Sequence, residues 1–423
     1  MSPGVPRHET NRILAFLRTP VGLGTILLAI TTFAVGFAMA AQQNILSNYF
    51  ELELGLTGPQ FGYITAIREI PGFLLIFVAA VFYRLTLARL TFLALLILAI
   101  GYAGFGLSTS FWTVAPWVVL SSIGYHTWLQ TQSALGMTLT TEQRSGFILG
   151  RISALNQAGA MIAMMVVFIV FKFGWLSYNG TFVLCGVAAL IGAVAIFRFP
   201  HLHDGEAQAV AATRPRIVLK REYRLYYLIS LLDGARQQIF FSFGLWVLVN
   251  TFHLQVPAIS AVLIAVSALA IVAGPRIGKL IDTFGERTVL GYVNIGFVIA
   301  LIGYAVAGNA PTAMICYVIY AFIAPLSAMG ATVYLRKIST RADLAPSLAM
   351  GLTMQHAAAI VVPVLTGFVL NYVGYQIPFL VGGGFAVVAF FLTRKLDAES
   401  QKSPERRAEE GGSIMSKGSI STT

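Results

Sequence analysis

Residues 21–41 read VGLGTILLAITTFAVGFAMAA, an unbroken run without a charged side chain. An α-helix rises about 1.5 Å per residue, so a run of this length reaches about 30 Å, the thickness of a bilayer's hydrocarbon core. Arg7, Arg12 and Arg18 precede it. The run is longer than the apolar core of a cleavable signal, which points to a first spanning helix retained in the chain. Around that helix the pattern recurs. Spanning segments are expected at about 22–46, 60–82, 90–108, 114–138, 147–171 and 180–197, then at about 226–249, 257–274, 289–308, 312–334, 346–370 and 378–394. Turn-forming clusters such as Leu56–Thr57–Gly58–Pro59 and Gly308–Asn309–Ala310–Pro311 separate several of them.

Composition agrees. The 423 residues are 57% hydrophobic and only 11% charged, against the roughly 25% that a soluble domain needs to solvate its surface. The chain therefore reads as an all-α membrane protein of twelve transmembrane helices, arranged as two six-helix bundles. A net charge of +11 would suit a nucleic-acid binder if the cations shared one soluble face. They do not. Of the 28 lysines and arginines, 25 fall on the loops at the side of the N-terminus, Lys172 lies opposite, and Arg68 and Arg236 lie inside spans. By the positive-inside rule both termini are cytoplasmic. Cys185 and Cys316 sit far apart in apolar runs, where buried and inert thiols are expected, with neither a disulfide framework nor a metal site.

The organisation follows from these spans. A cytoplasmic leader covers 1–20, a first six-helix half 21–197, a basic cytoplasmic linker 198–223, a second half 224–395 and a disordered tail 396–423. The linker histidines His201 and His203 have no ligand cluster around them, so a solvated linker is expected. An internal repeat supports the two halves. A shift of 200 lays Asn156 on His356 and Gly174 on Gly374. A shift of 202 lays Asn48–Tyr49–Phe50 on Asn250–Thr251–Phe252 and Gly101–Tyr102–Ala103 on Gly303–Tyr304–Ala305.

The loop after the eighth span reads Gly278–Lys–Leu–Ile–Asp282–Thr–Phe–Gly285–Glu–Arg287. It is similar to the Gly-x-x-x-Asp-x-x-Gly-x-Arg loop of the major facilitator superfamily, which the chain resembles over about residues 20–395. The resemblance implies a parallel-repeat secondary transporter with a site between the halves near the bilayer midplane. It also implies a cytoplasmic gate at Gly278, Asp282, Gly285 and Arg287, with Asp282 near a helix N-terminus and Arg287 pairing across the cytoplasmic face. The equivalent first-half loop departs from the pattern, reading Ala80, Arg84, Leu87 and Arg89, with Arg84 where Asp belongs. The fourth span lacks a membrane-embedded Arg, and the fifth, from Gly150 to Ala163, lacks the Gly-Pro pattern of drug/proton antiporters.

Charges inside the spans are costly, on the order of 3 kcal/mol or more each, and so are functional candidates. They are Arg68 and Glu69 in the second span and Asp233 and Arg236 in the seventh. Asp233 and Arg236, three apart, share a helix face and can pair. Arg68 and Glu69 are about 100° apart around their helix and are expected to face different partners. His126, Gln130, Asn156, Gln355 and His356 fall at a similar depth and complete a polar layer. In one reading the four charges pair across the halves and hold the bundle together. In the other, Arg68 and Arg236 bind an anionic solute with His126, Gln130, Asn156 and Gln355, while Glu69, Asp233 and His356 serve proton coupling or gating. Trp112, Trp117 and Trp175 are expected at the interface, and Trp128 and Trp246 in packing or a cavity wall.

The expected function is secondary active transport of a small organic solute, coupled to protons, by a monomer spanning a bacterial inner membrane. No cofactor, metal or nucleic-acid partner is expected. No Gly-x-x-x-x-Gly-Lys-Ser/Thr loop for nucleotide phosphates occurs, and no nucleophile–base set points to an enzyme. A non-transporting sensor or assembly factor on the same fold is the alternative.

Overall fold

The computed structural model describes residues 19–74, 85–140, 145–200 and 218–407. The leader through Arg18, Arg84, the linker histidines His201 and His203, and the tail beyond Arg407 lie outside the described residues. The described chain is helical almost throughout. Helix α1 (Pro20–Asn48) begins where the Thr19 hydroxyl accepts the Gly22 N–H at 3.0 Å, with Pro20 at the first position, where no intrahelical N–H is required. It runs into a π-helical turn, Tyr49–Glu53. Then come α2 (Gly58–Phe73), α3 (Leu87–Phe105), α4 (Phe111–Thr138), α5 (Ser145–Lys172) and α6 (Tyr178–Phe197).

The seventh span is broken by a π-helical segment, Gln238–Ser242, into α7 (Arg224–Gln237) and α8 (Phe243–Asn250). The chain continues as α9 (Val256–Phe284), α10 (Glu286–Ala305), α11 (Ala310–Ile338), α12 (Arg341–Tyr372) and α13 (Gln376–Thr393). A helix thus stands at each of the twelve expected positions. Nine, among the described residues, are long and apolar enough to cross a membrane unaided. The chain is a multi-pass membrane protein. Three positions fall short for local reasons. Helix α4 carries Ser121, Ser122, His126, Gln130 and Thr131, the seventh span is divided, and α2 is described only to Phe73.

The helices form two compact units. The first holds residues up to 56, 67–214 and 255–264, and the second holds 57–66, 215–254 and 265 onward. The halves expected at 21–197 and 224–395 therefore exchange two short segments. The contacts show why. Within the first unit Ser260 donates to Asn44 Oδ1 at 3.1 Å. Within the second, the Phe61 ring lies 5.5 Å from Trp246 and 5.1 Å from Phe243.

In the first unit α1 packs along α5 and α6, and α3 along α4 and α6. Thr31 donates to the Gly192 carbonyl at 3.1 Å, and the Tyr49 hydroxyl to that of Phe105 at 2.7 Å, so hydroxyls inside the bundle find backbone acceptors. In the second unit α10 packs on α11 and α13, and α7 on α12. Tyr304 donates to the Gly244 carbonyl at 2.6 Å, and the Phe240 and Tyr320 rings stack at 3.7 Å. The sequence repeat reappears in the backbone. Gly174 and Gly374, aligned by the shift of 200, follow α5 and α12 with φ of 67° and 114°, which a side chain would resist.

Two expectations change or gain detail here. The tail read as disordered from 396 is instead held through Arg407. Leu396 is buried with Tyr223, Tyr334 and Leu335, Tyr334 donates to Gln401 Oε1 at 2.6 Å, and the Ser403 N–H donates to the Ile338 carbonyl at 3.0 Å. Trp128 and Trp246 are fully packed, whereas Trp112 and Trp175 are exposed as interface residues should be.

Candidate functional site

Asp233 and Arg236 project from one face of α7, as their spacing of three dictates. Arg236 Nη2 donates to Asp233 Oδ1 at 2.7 Å, and both side chains are sealed, at 1% and 3% exposure. The surrounding helices complete the cage. Arg236 Nη1 donates to Asn294 Oδ1 and Nε to the Tyr320 hydroxyl, both at 3.2 Å. Ser327 donates to Asp233 Oδ2 at 2.6 Å, and the guanidinium carbon sits 3.5 Å over the Phe297 ring. A buried pair with its other lone pairs and protons satisfied ties α7 to α10 and α11. The described contacts of Asp233 and Arg236 lie inside their own unit, not across the halves with Arg68 and Glu69 as the structural reading had them.

Arg68 and Glu69 differ. Neighbours in α2, they were expected to face different partners, yet Arg68 Nη2 lies 3.3 Å from Glu69 Oε1 and Nε lies 3.4 Å from it. The reason is reach: a long guanidinium arm folds back across the 100° between adjacent positions. This pair is looser and more open, with side-chain exposures of 31% for Arg68 and 11% for Glu69. Ser122 on α4 donates to the Arg68 carbonyl, and Pro71, having no N–H, gives no helix hydrogen bond to the Ile67 carbonyl. One turn along α4, His126 is buried with its ring against Gly72, where a Cβ would lie 2.6 Å from Cε1. The Tyr125 ring is 4.9 Å from it. Arg68, Glu69 and His126 are thus gathered in the first unit.

The remaining polar layer divides between the units. In the first, Gln130 is exposed on α4, while Asn156 is half-buried on α5, its carbonyl pressed against Gly36 of α1. In the second, Gln355 and His356 are half-buried on α12, with Gln355 packed against Gly234 of α7. Among the described residues no cluster of three or more His, Cys, Asp or Glu side chains is placed to hold a metal.

In the loop after α9, Gly278 and Asp282 lie in the last turns of that helix and Arg287 in the first turn of α10. Gly285 joins them at φ 76°, the left-handed conformation that favours glycine. Asp282 and Arg287 are both exposed, and no described ion pair joins Asp282 to another residue. The close pair is Glu286 with Lys337 of α11, at 2.6 Å.

Sequence reading missed the polar base of the second unit. Lys220 reaches Asp343 Oδ2 at 2.7 Å and Glu405 Oε1 at 3.2 Å, and Tyr223 donates to the same Asp343 oxygen at 3.2 Å. The Asp343 carboxylate pushes the Lys220 ammonium above its ordinary range. The Glu405 carboxyl is held low, first by its own backbone N–H and then by Lys220. A basic run that looks like positive-inside anchoring is thereby a bridge from linker to α12 to tail. The missing signal was the partner, since Glu405 lies 185 residues away.

Comparison with known proteins accords with the fold. The Major Facilitator Superfamily sequence model matches residues 226–422. No curated protein sequence matches the chain. Among solved structures, nucleoside transporter NupG is similar with a TM-score of 0.72 at 15% identity, covering 88% of this chain and 98% of that one. A bacterial homologue of the human lysosomal transporter Spinster, in an inward-facing and occupied conformation, gives 0.69 at 13%, covering 95% and 100%. Peptide transporter POT in complex with sulfate gives 0.70 at 15%, covering 90% and 96%. At such identities the likeness is one of fold, and the loop signature at Gly278–Arg287 falls inside the matched sequence. The chain has the fold of the Major Facilitator Superfamily transporters, and its second half carries that family's sequence signature.

Proposed function

We propose that the chain is a secondary active transporter that moves a small organic anion by alternating access, coupled to protons through Glu69. The observation that carries this reading is the contrast between the two intramembrane pairs. Arg236 is locked in a cage of its own unit, whereas Arg68 keeps nearly a third of its side chain accessible and is held by two long contacts to one oxygen of Glu69. A partly free guanidinium is a ready anchor for a carboxylate or similar anion. When the anion takes over Arg68, Glu69 loses its cation, and a carboxylate in a dry site without its cation gains a proton. Solute and proton are thereby linked at adjacent residues. His126 fixes the helix carrying the pair, and Gln130 supplies an exposed hydrogen-bonding group on the same facing helix. Neighbours of the same fold are transporters of nucleosides and peptides, which supports a small solute as cargo. The 25 cations on one side support cytoplasmic termini, and the short loops a bacterial inner membrane.

The test is uptake into proteoliposomes under an imposed pH gradient, using a panel of labelled organic acids. The wild type should accumulate at least one acid, and Arg68→Gln should raise its KM about tenfold or more, the worth of one charge-assisted contact. Accumulation of cations or neutral solutes only, or an Arg68→Gln variant with an unchanged KM, would remove the anion from the proposal.

A further inference from the structure

Inside the first unit, near the starts of α1 and α5, lies a cavity of about 390 Å³. It is separate from Arg68 and Glu69 and has no role in the transport reading above. Its walls follow from helix register. Leu28, Ala29 and Thr32 recur at spacings of three and four and so share one face of α1. Ile148, Ile152 and Leu155 do the same on α5, and Leu139, just past α4, closes a third side. Helix α1 packs tightly along α5, but α4 gives most of its contact to α3, which leaves the gap. The recess is partly open, with Arg151 and Ala154 exposed at its edge, and its volume falls in the range of ligand sites.

Three polar residues interrupt the apolar lining, and one of them, Thr25, donates its hydroxyl to the Val21 carbonyl of its own helix at 2.8 Å. Arg151 was counted with the loop cations from sequence, but it lies inside α5, about 9 Å along the helix from Ser145. Its guanidinium is exposed, carries no described ion pair, and rests 4.4 Å from the centroid of Phe147. An exposed guanidinium resting on a ring face keeps its donor fork available to an anion. The third is Thr32, whose hydroxyl is fully buried and without a hydrogen-bond partner among the described residues. An unsatisfied buried hydroxyl is itself unfavourable.

From this geometry we infer that the cavity is a binding site for an organic monocarboxylate with an apolar body, its carboxylate on Arg151 and its hydrocarbon against Leu28, Ile152 and Leu155. The guanidinium fork matches a carboxylate in two parallel hydrogen bonds, and a cationic ligand would be repelled from the same wall. The apolar walls select for a hydrocarbon body over a small hydrophilic acid. The site stands whether or not its ligand is carried across the membrane, so binding tests it independently of transport.

The full chain is placed in nanodiscs of zwitterionic lipid, and equilibrium binding of labelled octanoate is measured, with octanol and octylammonium as comparators. Octanoate should bind saturably and more tightly than either comparator. Arg151→Gln should weaken octanoate about tenfold while leaving octanol unchanged. Arg151→Lys should recover part of the loss, and Ala29→Trp, which fills the cavity, should abolish binding of both. If Arg151→Gln does not fold, Arg151→Lys and the comparator ranking in the wild type still decide. Octylammonium binding as tightly as octanoate would overturn the inference, as would a folded Arg151→Gln or Ala29→Trp with wild-type affinity. So would a phospholipid found by mass spectrometry to stay with the wild type through purification while octanoate fails to bind.

Discussion

The most decisive perturbation of the fold is removal of one member of the Asp233–Arg236 pair. Replacing Asp233 with Leu leaves a guanidinium that is 1% exposed without its counter-ion 2.7 Å away. Ser327 loses its acceptor, while Asn294 and Tyr320 still accept from the arginine. Stripping one partner from a buried ion pair costs about 3–5 kcal/mol, because the other charge stays desolvated. Arg236→Met alone strands the carboxylate and should cost a similar amount. The double variant Asp233→Leu, Arg236→Met removes both charges. Since apolar replacements of a whole buried pair are often neutral, it should recover more than half of the single losses. The assay is equilibrium unfolding in mixed micelles, with denaturing detergent raised against a fixed background and helicity followed by circular dichroism. An Asp233→Leu variant within about 1 kcal/mol of the wild type would refute the structural reading, because a buried uncompensated charge cannot be that cheap.

Other predictions concern the packing and the base of the second unit. A chain stopped after Lys395 loses buried Leu396 and the Tyr334–Gln401 bond, and should be about 2–3 kcal/mol less stable. Thermal melting followed by fluorescence-detected gel filtration checks this. The linker–tail bridge has a defined pH window. Glu405, lowered in the fold, contributes above its ordinary value of 4.5 and is lost as pH falls through its lowered value. Lys220, raised, contributes below 10.5 and is lost as pH rises through its raised value. Proteolytic protection of the tail should therefore be flat between those limits and fall outside them. Gly36→Leu should cost about 1–3 kcal/mol in thermal unfolding, since even its Cβ would lie 2.5 Å from the Asn156 carbonyl oxygen on α5.

Much of the architecture was legible because lipid imposes a simple code. Twenty apolar residues make a span, and cations stay on one side, so the stretch from Val21 to Ala41 and the loop arginines located the helices without any contact information. The repeat at Gly174 and Gly374 was readable for a similar reason, since a left-handed turn after a helix restricts both positions alike. Partners were harder to read. Spacing on one helix face paired Asp233 with Arg236 correctly, but nothing in sequence showed that Asn294, Tyr320 and Ser327 would enclose them. Angular separation argued against Arg68 and Glu69 meeting, and side-chain length overrode it. Arg151 was counted with the loop cations although the expected span at 147–171 already contained it, because it lies close to that span's cytoplasmic start. Glu405 looked like tail because a polar, serine-rich segment can still dock when Leu396 and Ser403 find buried places.

The central claim is that coupling resides at Arg68–Glu69 while Asp233–Arg236 holds the second unit together. The direct measurement compares two modes of transport by Glu69→Gln in proteoliposomes with a solute that the wild type accumulates. Exchange of labelled for unlabelled solute at equal pH should persist, because the variant still binds and moves its cargo. Accumulation driven by a pH gradient should vanish, because no carboxylate remains to carry the proton. Gradient-driven accumulation by Glu69→Gln at the wild-type level would contradict the account. So would loss of coupling in a stably folded Asp233→Asn variant with Glu69 intact.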